Sequence, residues 1–339
     1  MRLALAGLPG AGKSTLMRAL AGRRLASGKG REDSDQALLP VPDERLDQLD
    51  RLYQPRKKVH AQITFIDPPP PLGAGDQEGR VPPQWRQAEA LVEVVRNFDG
   101  GLGEPQPAAD HQAFSEEMIL NDLITVEGRL ERIAQERQRG RDIDQEEIRL
   151  LEQAKEHLGR DLPLRELPQV AGHVKLRGFG LLSAKPVVVV VNNEEDDPQA
   201  PELPGVAEPV VVRASIEAEL AELEEEERAE FMADLGITQS ALDRLIAAGY
   251  RALDVISFFT VGKDEVRAWT VRRGTPAPQA AGVIHSDMEK GFIRAEVMRW
   301  QELLEHGSEA ALKKAGLVKL VGRDYILEDG DIFHVRFNV

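Results

Sequence analysis

The sequence predicts an α/β fold with a mostly parallel sheet, and three observations indicate it. A glycine-rich loop at residues 7–14 directly follows the apolar run at residues 3–6. Residues 186–191 are apolar without alternation, which is typical of a strand buried on both faces. Strand patterns alternate with helical patterns along the chain. Strands and helices in this order indicate a parallel sheet covered by helices on both sides.

Five strands are predicted for this sheet. The first lies at residues 3–6, and the second, at residues 59–66, ends directly before Asp67. The third lies at residues 90–95, the fourth at 186–191 and the fifth at 209–214. A polar stretch at residues 26–36 reads as a loop between the first helix and the second strand.

The loop Gly7-Leu8-Pro9-Gly10-Ala11-Gly12-Lys13-Ser14 fits the phosphate-binding pattern G-x-x-x-x-G-K-[ST]. Its glycines let backbone N–H groups curl around a β-phosphate, Lys13 reaches the β- and γ-phosphates, and the Ser14 hydroxyl binds Mg²⁺. The helix predicted at residues 15–25 directs its positive end at the same anion. A chance glycine-rich turn is disfavoured because strand, loop and helix follow in the required order. We therefore predict a P-loop domain whose loop binds nucleotide through Gly7, Pro9, Gly10, Ala11, Gly12, Lys13, Ser14 and Thr15.

Composition excludes several classes of protein. The 339 residues suggest two or three domains, and the absence of cysteine excludes disulfide scaffolds and thiolate metal sites. No apolar run of about twenty residues is present to span a membrane, so a cytoplasmic protein is expected. The net charge of −15 argues against indiscriminate nucleic-acid binding. Residues 255–339 carry 12 basic and 12 acidic residues, so contact with RNA is likelier there.

Two further regions differ in pattern from the parallel sheet. At residues 111–164 apolar residues step by three and four on two segments joined by a polar turn, which predicts an antiparallel coiled-coil hairpin; two unrelated surface helices are the alternative. From residue 258 onward, short strand patterns at 266–271, 282–284, 292–297 and 332–337 accompany one helix at 300–315. This region predicts a separate small mixed β domain.

A base-reading element follows the fourth strand. Asn192-Asn193-Glu194-Glu195 lies where GTP-binding switches carry N-K-x-D, in which the Asp accepts two hydrogen bonds from guanine. Glu195 is one methylene longer than that Asp, which weakens the preference for guanine and makes adenine acceptable. An ordinary polar turn remains the alternative. We predict that Asn192 and Glu195 contact the base.

Several strings along the chain match the pattern of one family. They are Gly7-Leu8-Pro9, Gly12-Lys13-Ser14-Thr15-Leu16, Val41-Pro42-Asp43-Glu44-Arg45-Leu46-Asp47, Asn192-x-x-Glu195, Phe258-Phe259-Thr260-Val261-Gly262, Glu265-Val266-Arg267-Ala268-Trp269-Thr270, Ala277-Pro278-Gln279-Ala280-Ala281-Gly282-Val283-Ile284-His285, Glu289-Lys290-Gly291-Phe292-Ile293-Arg294-Ala295-Glu296, Asp324-Tyr325-Ile326 and Arg336-Phe337-Asn338-Val339. On these strings the chain resembles the Obg-related, YchF-type ATPases, a branch of the translation-factor GTPases.

The resemblance implies three parts. They are a nucleotide domain at residues 1–110 and 165–257, a coiled-coil insertion at 111–164, and a TGS domain of ubiquitin-like β-grasp form at 258–339. It also implies that ATP is accepted at least as readily as GTP and that the protein associates with ribosomes. Asp67 would support Mg²⁺ through water, and Ala214 and Ser215 occupy the place where relatives offer a backbone N–H to the base.

The chain departs from the family at both switches. The family places D-x-x-G after the second long strand, and this chain has Asp67-Pro68-Pro69-Pro70-Pro71. Proline has no N–H, so Pro70 cannot donate to a γ-phosphate. No threonine lies between Thr15 and Thr64 to serve the first switch, although Ser27 or Ser34 are possible substitutes. Weak or absent hydrolysis is therefore expected, with a compensated rearrangement as the alternative, and no residue is assigned as catalytic base.

Other functions remain open at this point. One alternative is an interaction scaffold in which the nucleotide site is vestigial and the α/β domain presents the C-terminal domain. A small-molecule P-loop kinase is disfavoured by the C-terminal resemblance. The alternating His285, Asp287 and Glu289 suggest a metal site only weakly, because no fourth ligand is in view.

Overall fold

A computed structural model describes residues 1–22, 34–69, 81–234 and 239–338. The chain divides into two compact units, Met1–Leu39 with Thr64–Ala252 and Pro40–Ile63 with Leu253–Val339. In the described part of the chain, no helix is long and apolar enough to cross a membrane.

Twelve strands and thirteen α-helices lie within the described ranges. The strands are β1 (Arg2–Ala6), β2 (Asp35–Pro40), β3 (Lys57–Val59), β4 (Gln62–Asp67), β5 (Ala90–Asn97), β6 (Val187–Asn193), β7 (Val210–Val212), β8 (Val255–Thr260), β9 (Glu265–Arg272), β10 (Phe292–Arg299), β11 (Lys319–Val321) and β12 (Asp331–Phe337). The helices are α1 (Lys13–Ala21), α2 (Glu44–Tyr53), α3 (Pro83–Gln87), α4 (Pro107–Gln138), α5 (Gln145–Leu158), α6 (Pro168–Ala171), α7 (Ala214–Leu220), α8 (Glu225–Asp234), α9 (Ala241–Leu253), α10 (Ala277–Ile284), α11 (Ser286–Lys290), α12 (Trp300–His306) and α13 (Glu309–Ala315).

The first unit is built on a six-stranded sheet in the order β2-β4-β1-β5-β6-β7. Strand β1 pairs in parallel with β4 and β5, β5 pairs with β6, and β6 pairs with β7. In this order β1 lies between β4 and β5, which therefore flank it on opposite sides. The carboxyl ends of β1, β4 and β6 therefore meet at one edge of the sheet, where ligands bind in open α/β folds.

The long helix α4 packs against α5, and a six-residue turn at 139–144 joins them. The predicted heptad positions Ile119, Val126, Ile133, Leu151 and Leu158 are buried in one apolar cluster. This cluster continues into the segment after α5, through side chains at positions 164, 170, 176 and 181. The hairpin core is therefore shared with the chain that returns to β6, and the coiled-coil description remains a prediction.

The second unit is built on a mixed sheet in the order β11-β10-β12-β8-β9-β3. Antiparallel pairs join β10 to β11 and β12, and β8 to β9, whereas β12 with β8 and β3 with β9 are parallel. The strand predicted at 282–284 was wrong, since these residues end α10, which packs Ala280 and Ala281 into the core. The single helix predicted at 300–315 is two helices, because Gly307 adopts a φ of 73° and Ser308 caps α13.

Residues 40–63 belong to the second unit, although the predicted division placed them in the nucleotide domain. Strand β3 adds to the sheet beside β9, and α2 packs on β9 and α12. Arg45 in α2 forms ion pairs with Asp43, at 2.8 Å, and with Asp329, at 2.7 Å, and its guanidinium lies over the Phe259 ring. Residues 40–63 do not differ in composition from the segments around them, so their place in the second unit was not predicted from the sequence.

Candidate nucleotide-binding site

The glycine loop, residues 7–14, joins the end of β1 to the start of α1. Gly7, Gly10 and Gly12 have φ angles of 123°, 82° and 91°, a region in which side chains are strained. A Cβ on Gly7 would meet the Val94 carbonyl, and one on Gly12 would meet the Asn192 amide. Glycine is therefore required at these positions both by backbone conformation and by space.

The first turn of α1 receives no side-chain hydrogen bond from its N-cap residue, Gly12. The first N–H groups of a helix lack partners within the helix, and they carry its partial positive charge. Pro9, Gly10 and Ser14 are exposed around this helix end. The loop therefore presents backbone donors where an anion would bind.

Lys13 lies across the loop that contains it. Its Nζ donates to the carbonyl oxygens of Gly7, at 2.9 Å, and Leu8, at 2.8 Å. Burial lowers the pKa of this ammonium group, and the nearby Asp67 carboxylate opposes that shift. An anion such as a phosphate beside Lys13 would supply the charge partner that burial makes favourable.

Ser14 and Asp67 bring two oxygen ligands together from α1 and β4. The Ser14 hydroxyl donates to Asp67 Oδ2 at 2.7 Å. Burial raises the pKa of Asp67, against the lowering effects of Ser14 and Lys13, and Asp35 raises it further. Hydroxyl and carboxylate oxygens fit Mg²⁺, which binds proteins through few side chains together with substrate phosphates. In the described residues no group of three or more His, Asp or Glu could hold a metal ion.

Asn192, at the end of β6, connects the glycine loop to the start of α7. Its side-chain amide donates to the Ala11 carbonyl at 3.2 Å and accepts from the Ala214 N–H at 3.0 Å. Because the Ala214 N–H is already bonded, it is not free for a base as predicted. Ser215 is exposed and follows directly in the first turn of α7. Asn192 therefore acts as a brace between the two loops that border the predicted base site.

Of the residues after Asn192, Asn193 is buried and hydrogen-bonded, whereas Glu195 is exposed. Asn193, 3% exposed, donates to the carbonyls of Asp197 and Gln199 and accepts from Asn97. Asn193 occupies the position where switch proteins carry Lys, and these hydrogen bonds give it a structural role there. Glu195 is exposed, and its side chain bonds to none of the described residues, whereas its carbonyl accepts from Arg213 at 3.1 Å. The Glu195 carboxylate is therefore exposed to solvent beside the predicted base site.

A second loop beside the glycine loop was missed by sequence reasoning. Arg96, in β5, donates to the carbonyls of Phe98, Asp99 and Gly103, and so holds residues 98–103 in a compact turn. The Phe98 ring lies close to Gly12, and Leu102, 60% exposed, lies beside Gly10. The signal for it was the run Gly100-Gly101-Leu102-Gly103 directly after a buried parallel strand.

The switch predictions lie mostly outside the described residues. Pro68 and Pro69 are described and half-buried after Asp67, whereas Pro70, Pro71 and Ser27 fall in the ranges that the structure does not describe. Ser34 is described and lies directly before β2. His285 accepts from the Asp287 N–H and caps α11.

Comparison with known proteins decides the family. A ribosome-binding ATPase YchF from Bacillus subtilis (strain 168) is 39% identical over 361 residues, which covers 99% of this chain and 98% of that protein. The chain belongs to the YchF family. The model of this family's C-terminal region, described as YchF-GTPase_C, a protein of unknown function (DUF933), matches residues 255–338. The rice (Oryza sativa subsp. japonica) Obg-like ATPase 1, 33% identical, covers all of this chain and is itself 92% covered.

Solved structures confirm the α/β fold. The structure of the Schizosaccharomyces pombe YchF GTPase superposes with a TM-score of 0.82 at 30% identity, covering 99% of this chain and 97% of that one. A GTP-binding protein from Pyrococcus horikoshii OT3 covers both chains fully with a TM-score of 0.60 at 15% identity, which concerns the fold alone. The YchF fold therefore extends over the whole chain.

Proposed function

We propose that this protein binds ATP or GTP with Mg²⁺ at the glycine loop, associates with ribosomes, and hydrolyses the nucleotide weakly or not at all. The observation that carries the proposal is the convergence of Lys13, Ser14 and Asp67 at the carboxyl edge of the sheet. Bound Mg²⁺ would neutralise charge between the nucleotide's β- and γ-phosphates. Ser14 and Asp67 would hold it, and Lys13 would pair with the phosphates.

Acceptance of adenine rests on Glu195 and Asn192. The Glu195 carboxylate is exposed and longer than the Asp that reads guanine. The Asn192 side-chain amide bonds to Ala11 and Ala214 and so holds in place the two loops that border the base site. The names of the relatives include both an ATPase and a GTPase, in agreement with a base site of low selectivity.

Slow hydrolysis follows from the residues that would contact the γ-phosphate. Phosphoryl transfer is catalysed by positioning and by stabilisation of charge on the γ-phosphate oxygens. Pro70 replaces a glycine whose N–H would donate there, and the stretch from residue 16 to 63 has no threonine. The contacts that support binding, around the α- and β-phosphates, do not depend on either switch. Binding is therefore expected to outlast catalysis.

Ribosome association is inferred from the relatives named as ribosome-binding ATPases. Such a role places the protein in the cytoplasm. We assign the contact to the second unit, as a TGS domain of β-grasp form, and to the α4–α5 hairpin as a coiled coil. In the second unit, Arg294 and Lys319 are exposed on neighbouring strands and form no ion pair with the described residues.

Calorimetry with ATP, ADP, GTP and GDP, each with and without Mg²⁺, tests the binding proposal. We expect all four nucleotides to bind, and Lys13→Ala to lower affinity by at least about 30-fold, about 2 kcal/mol. Lys155→Ala, an exposed lysine on α5, is the matched control. Absence of binding by the wild type, or unchanged affinity in Lys13→Ala, would favour the interaction scaffold instead.

Two measurements test catalysis and partner. Single-turnover hydrolysis of ATP should be far slower than in active relatives, and a comparable rate would contradict the proposal of impaired catalysis.

Co-sedimentation with ribosomes should weaken when salt is raised and when Arg294 and Lys319 are both changed to Glu. The control is Arg177→Glu, an exposed arginine of the first unit outside the α4–α5 hairpin. Equal sedimentation of all variants would remove the second unit from the contact.

A further inference from the structure

A second cavity lies in the first unit, away from the glycine loop. Its volume is about 440 Å³, within the range of small-molecule sites. Its floor is the amino half of β6, at Val187 and Val189, whereas Asn192 lies at the carboxyl end of this strand. At about 3.3 Å per residue, three residues separate the floor from Asn192 by roughly 10 Å along the strand. The cavity and the candidate nucleotide site are therefore distinct.

The cavity exists because β6 is incompletely covered on this face. Helix α4 borders it with His111 and Ser115, one helical turn apart, and α9 borders it with Ala248, Arg251 and Ala252. The segment 163–166 and the loop 204–208 complete the walls. Val187 and Val189 alternate to the same side and remain half-buried, which is unusual for a strand inside a parallel sheet. An apolar surface thus stays open between two helices.

Arg165 is the unsatisfied charge of this cavity. Its Nη1 is buried, and among the described residues no atom accepts a hydrogen bond from it. Burial lowers the pKa of this guanidinium, and Glu166 and Glu93 oppose the shift. A charged group destabilises the folded protein when one of its buried hydrogen-bond donors has no acceptor. A bound ligand that supplies the acceptor would remove this cost. The arrangement resembles one half of a charge-assisted hydrogen bond.

None of the other described charged groups that line the cavity forms an ion pair with Arg165. Glu166 and Glu208 line the cavity but are exposed, so water solvates them, and Arg251 is exposed as well. Glu93, 2% exposed on β5, is bonded to His111 Nδ1 at 2.9 Å from each carboxylate oxygen. His111 therefore supplies the partner of Glu93, and no carboxylate in the described part of the chain forms an ion pair with Arg165.

We propose that this cavity binds a small organic anion, with its carboxylate or phosphate group on the Arg165 guanidinium and its apolar body over Val187 and Val189. The volume of the cavity suits a small molecule. The exposed Arg251 adds a second positive charge to the lining of the cavity. The Arg165 guanidinium, whose Nη1 has no acceptor among the described residues, supplies specificity, and burial of the ligand's apolar surface supplies most of the affinity.

Calorimetric titration of the full chain with benzoate and phenyl phosphate tests the site, because the two share an apolar ring and differ in the anion. Benzyl alcohol, acetate and inorganic phosphate are the probes that lack the charge or the ring. We expect saturable binding of benzoate or phenyl phosphate, and the stronger of the two identifies the anion. Arg165→Met should weaken it by at least about tenfold, as expected for loss of a hydrogen bond to a charged group.

Controls separate this site from the nucleotide site and from loss of folding. Arg160→Met, an exposed arginine in the same unit, should leave probe affinity unchanged, and so should Lys13→Ala. Arg165→Met should melt no lower than the wild type, because Nη1 has no partner to lose. Ala252→Phe, which keeps Arg165 and fills the cavity from α9, should also abolish binding. The proposal is overturned if neither anion saturates, if Arg165→Met and Ala252→Phe bind as the wild type does, or if Lys13→Ala abolishes binding.

Discussion

Asp67 and Asp122 are two buried carboxylates of the first unit, and each accepts a hydrogen bond from a serine. Ser14 donates to Asp67 at 2.7 Å, and Ser183 donates to Asp122 at 2.6 Å. Asp122, 0% exposed, also accepts the N–H groups of Leu182, at 2.8 Å, and Ser183, at 2.7 Å. Among the described residues, Ser14 is the one hydrogen-bond donor to Asp67.

The difference separates a structural carboxylate from a site carboxylate. The Asp122 carboxylate receives all three of these hydrogen bonds from Leu182 and Ser183, and so anchors α4 to the segment before β6. Asp67 is left with accepting capacity beside an ammonium group and a hydroxyl. Burial raises the pKa of both groups, so a shifted pKa does not distinguish them. The number of internal donors does distinguish them, and it predicts different consequences for the same substitution.

The largest effect is expected for Asp122→Asn. The new amide would direct N–H groups at backbone donors, leaving buried N–H groups unpaired, so the free energy of unfolding should fall by about 3 kcal/mol. Urea unfolding of the full chain measures it, with Asp110→Asn on the same helix as control. A loss below about 0.5 kcal/mol, the usual range for a surface change, would contradict the structural role.

Asn192→Ala tests a residue that combines both characters, since it is internally bonded and borders the site. Removing the amide leaves the buried Ala214 N–H without its acceptor and releases the glycine loop at Ala11. The free energy of unfolding should fall by about 2 kcal/mol, and nucleotide affinity should fall with it. Urea unfolding and calorimetry on one preparation measure both. Lower stability with unchanged affinity would show that the brace does not shape the site.

The contrast between these residues also explains what the sequence could predict. The glycine loop was predicted because its residues are contiguous and their spacing follows from phosphate geometry. Asn192 was predicted because it follows a recognisable buried strand. Both depend on local order along the chain.

Long-range pairings were not predictable in this way. Asp122 lies between heptad positions and reads as a solvated polar residue, because its partner Ser183 is 61 residues away. Residues 40–63 join the second unit through Arg45 and Asp329, 284 residues apart. The cavity beside Arg165 depends on the spacing of α4 and α9 over β6. Such features follow from packing, which periodicity alone does not describe.

Asp67→Asn should separate metal binding from folding. Asparagine still accepts from Ser14, yet it removes the negative charge that would support Mg²⁺. The enhancement of nucleotide affinity by Mg²⁺ should fall by about tenfold, about 1.4 kcal/mol. Calorimetry with and without Mg²⁺ measures this enhancement, and affinity without the metal serves as the internal control. An unchanged enhancement would remove Asp67 from the metal site.

The smallest expected effect is the pH dependence of stability without nucleotide. Burial raises the folded-state pKa of Asp67, so protonation favours the folded state. The stabilisation is complete below the unfolded value of about 3.9 and is lost as pH rises through the folded pKa. Asp67→Asn does not titrate, so its free energy of unfolding relative to the wild type should rise as pH increases above that range, and the two proteins should differ least at the acidic end. Urea unfolding of both proteins across this range is the measurement. Parallel curves would mean that burial does not raise the pKa of Asp67 in the folded protein, against the direction expected here.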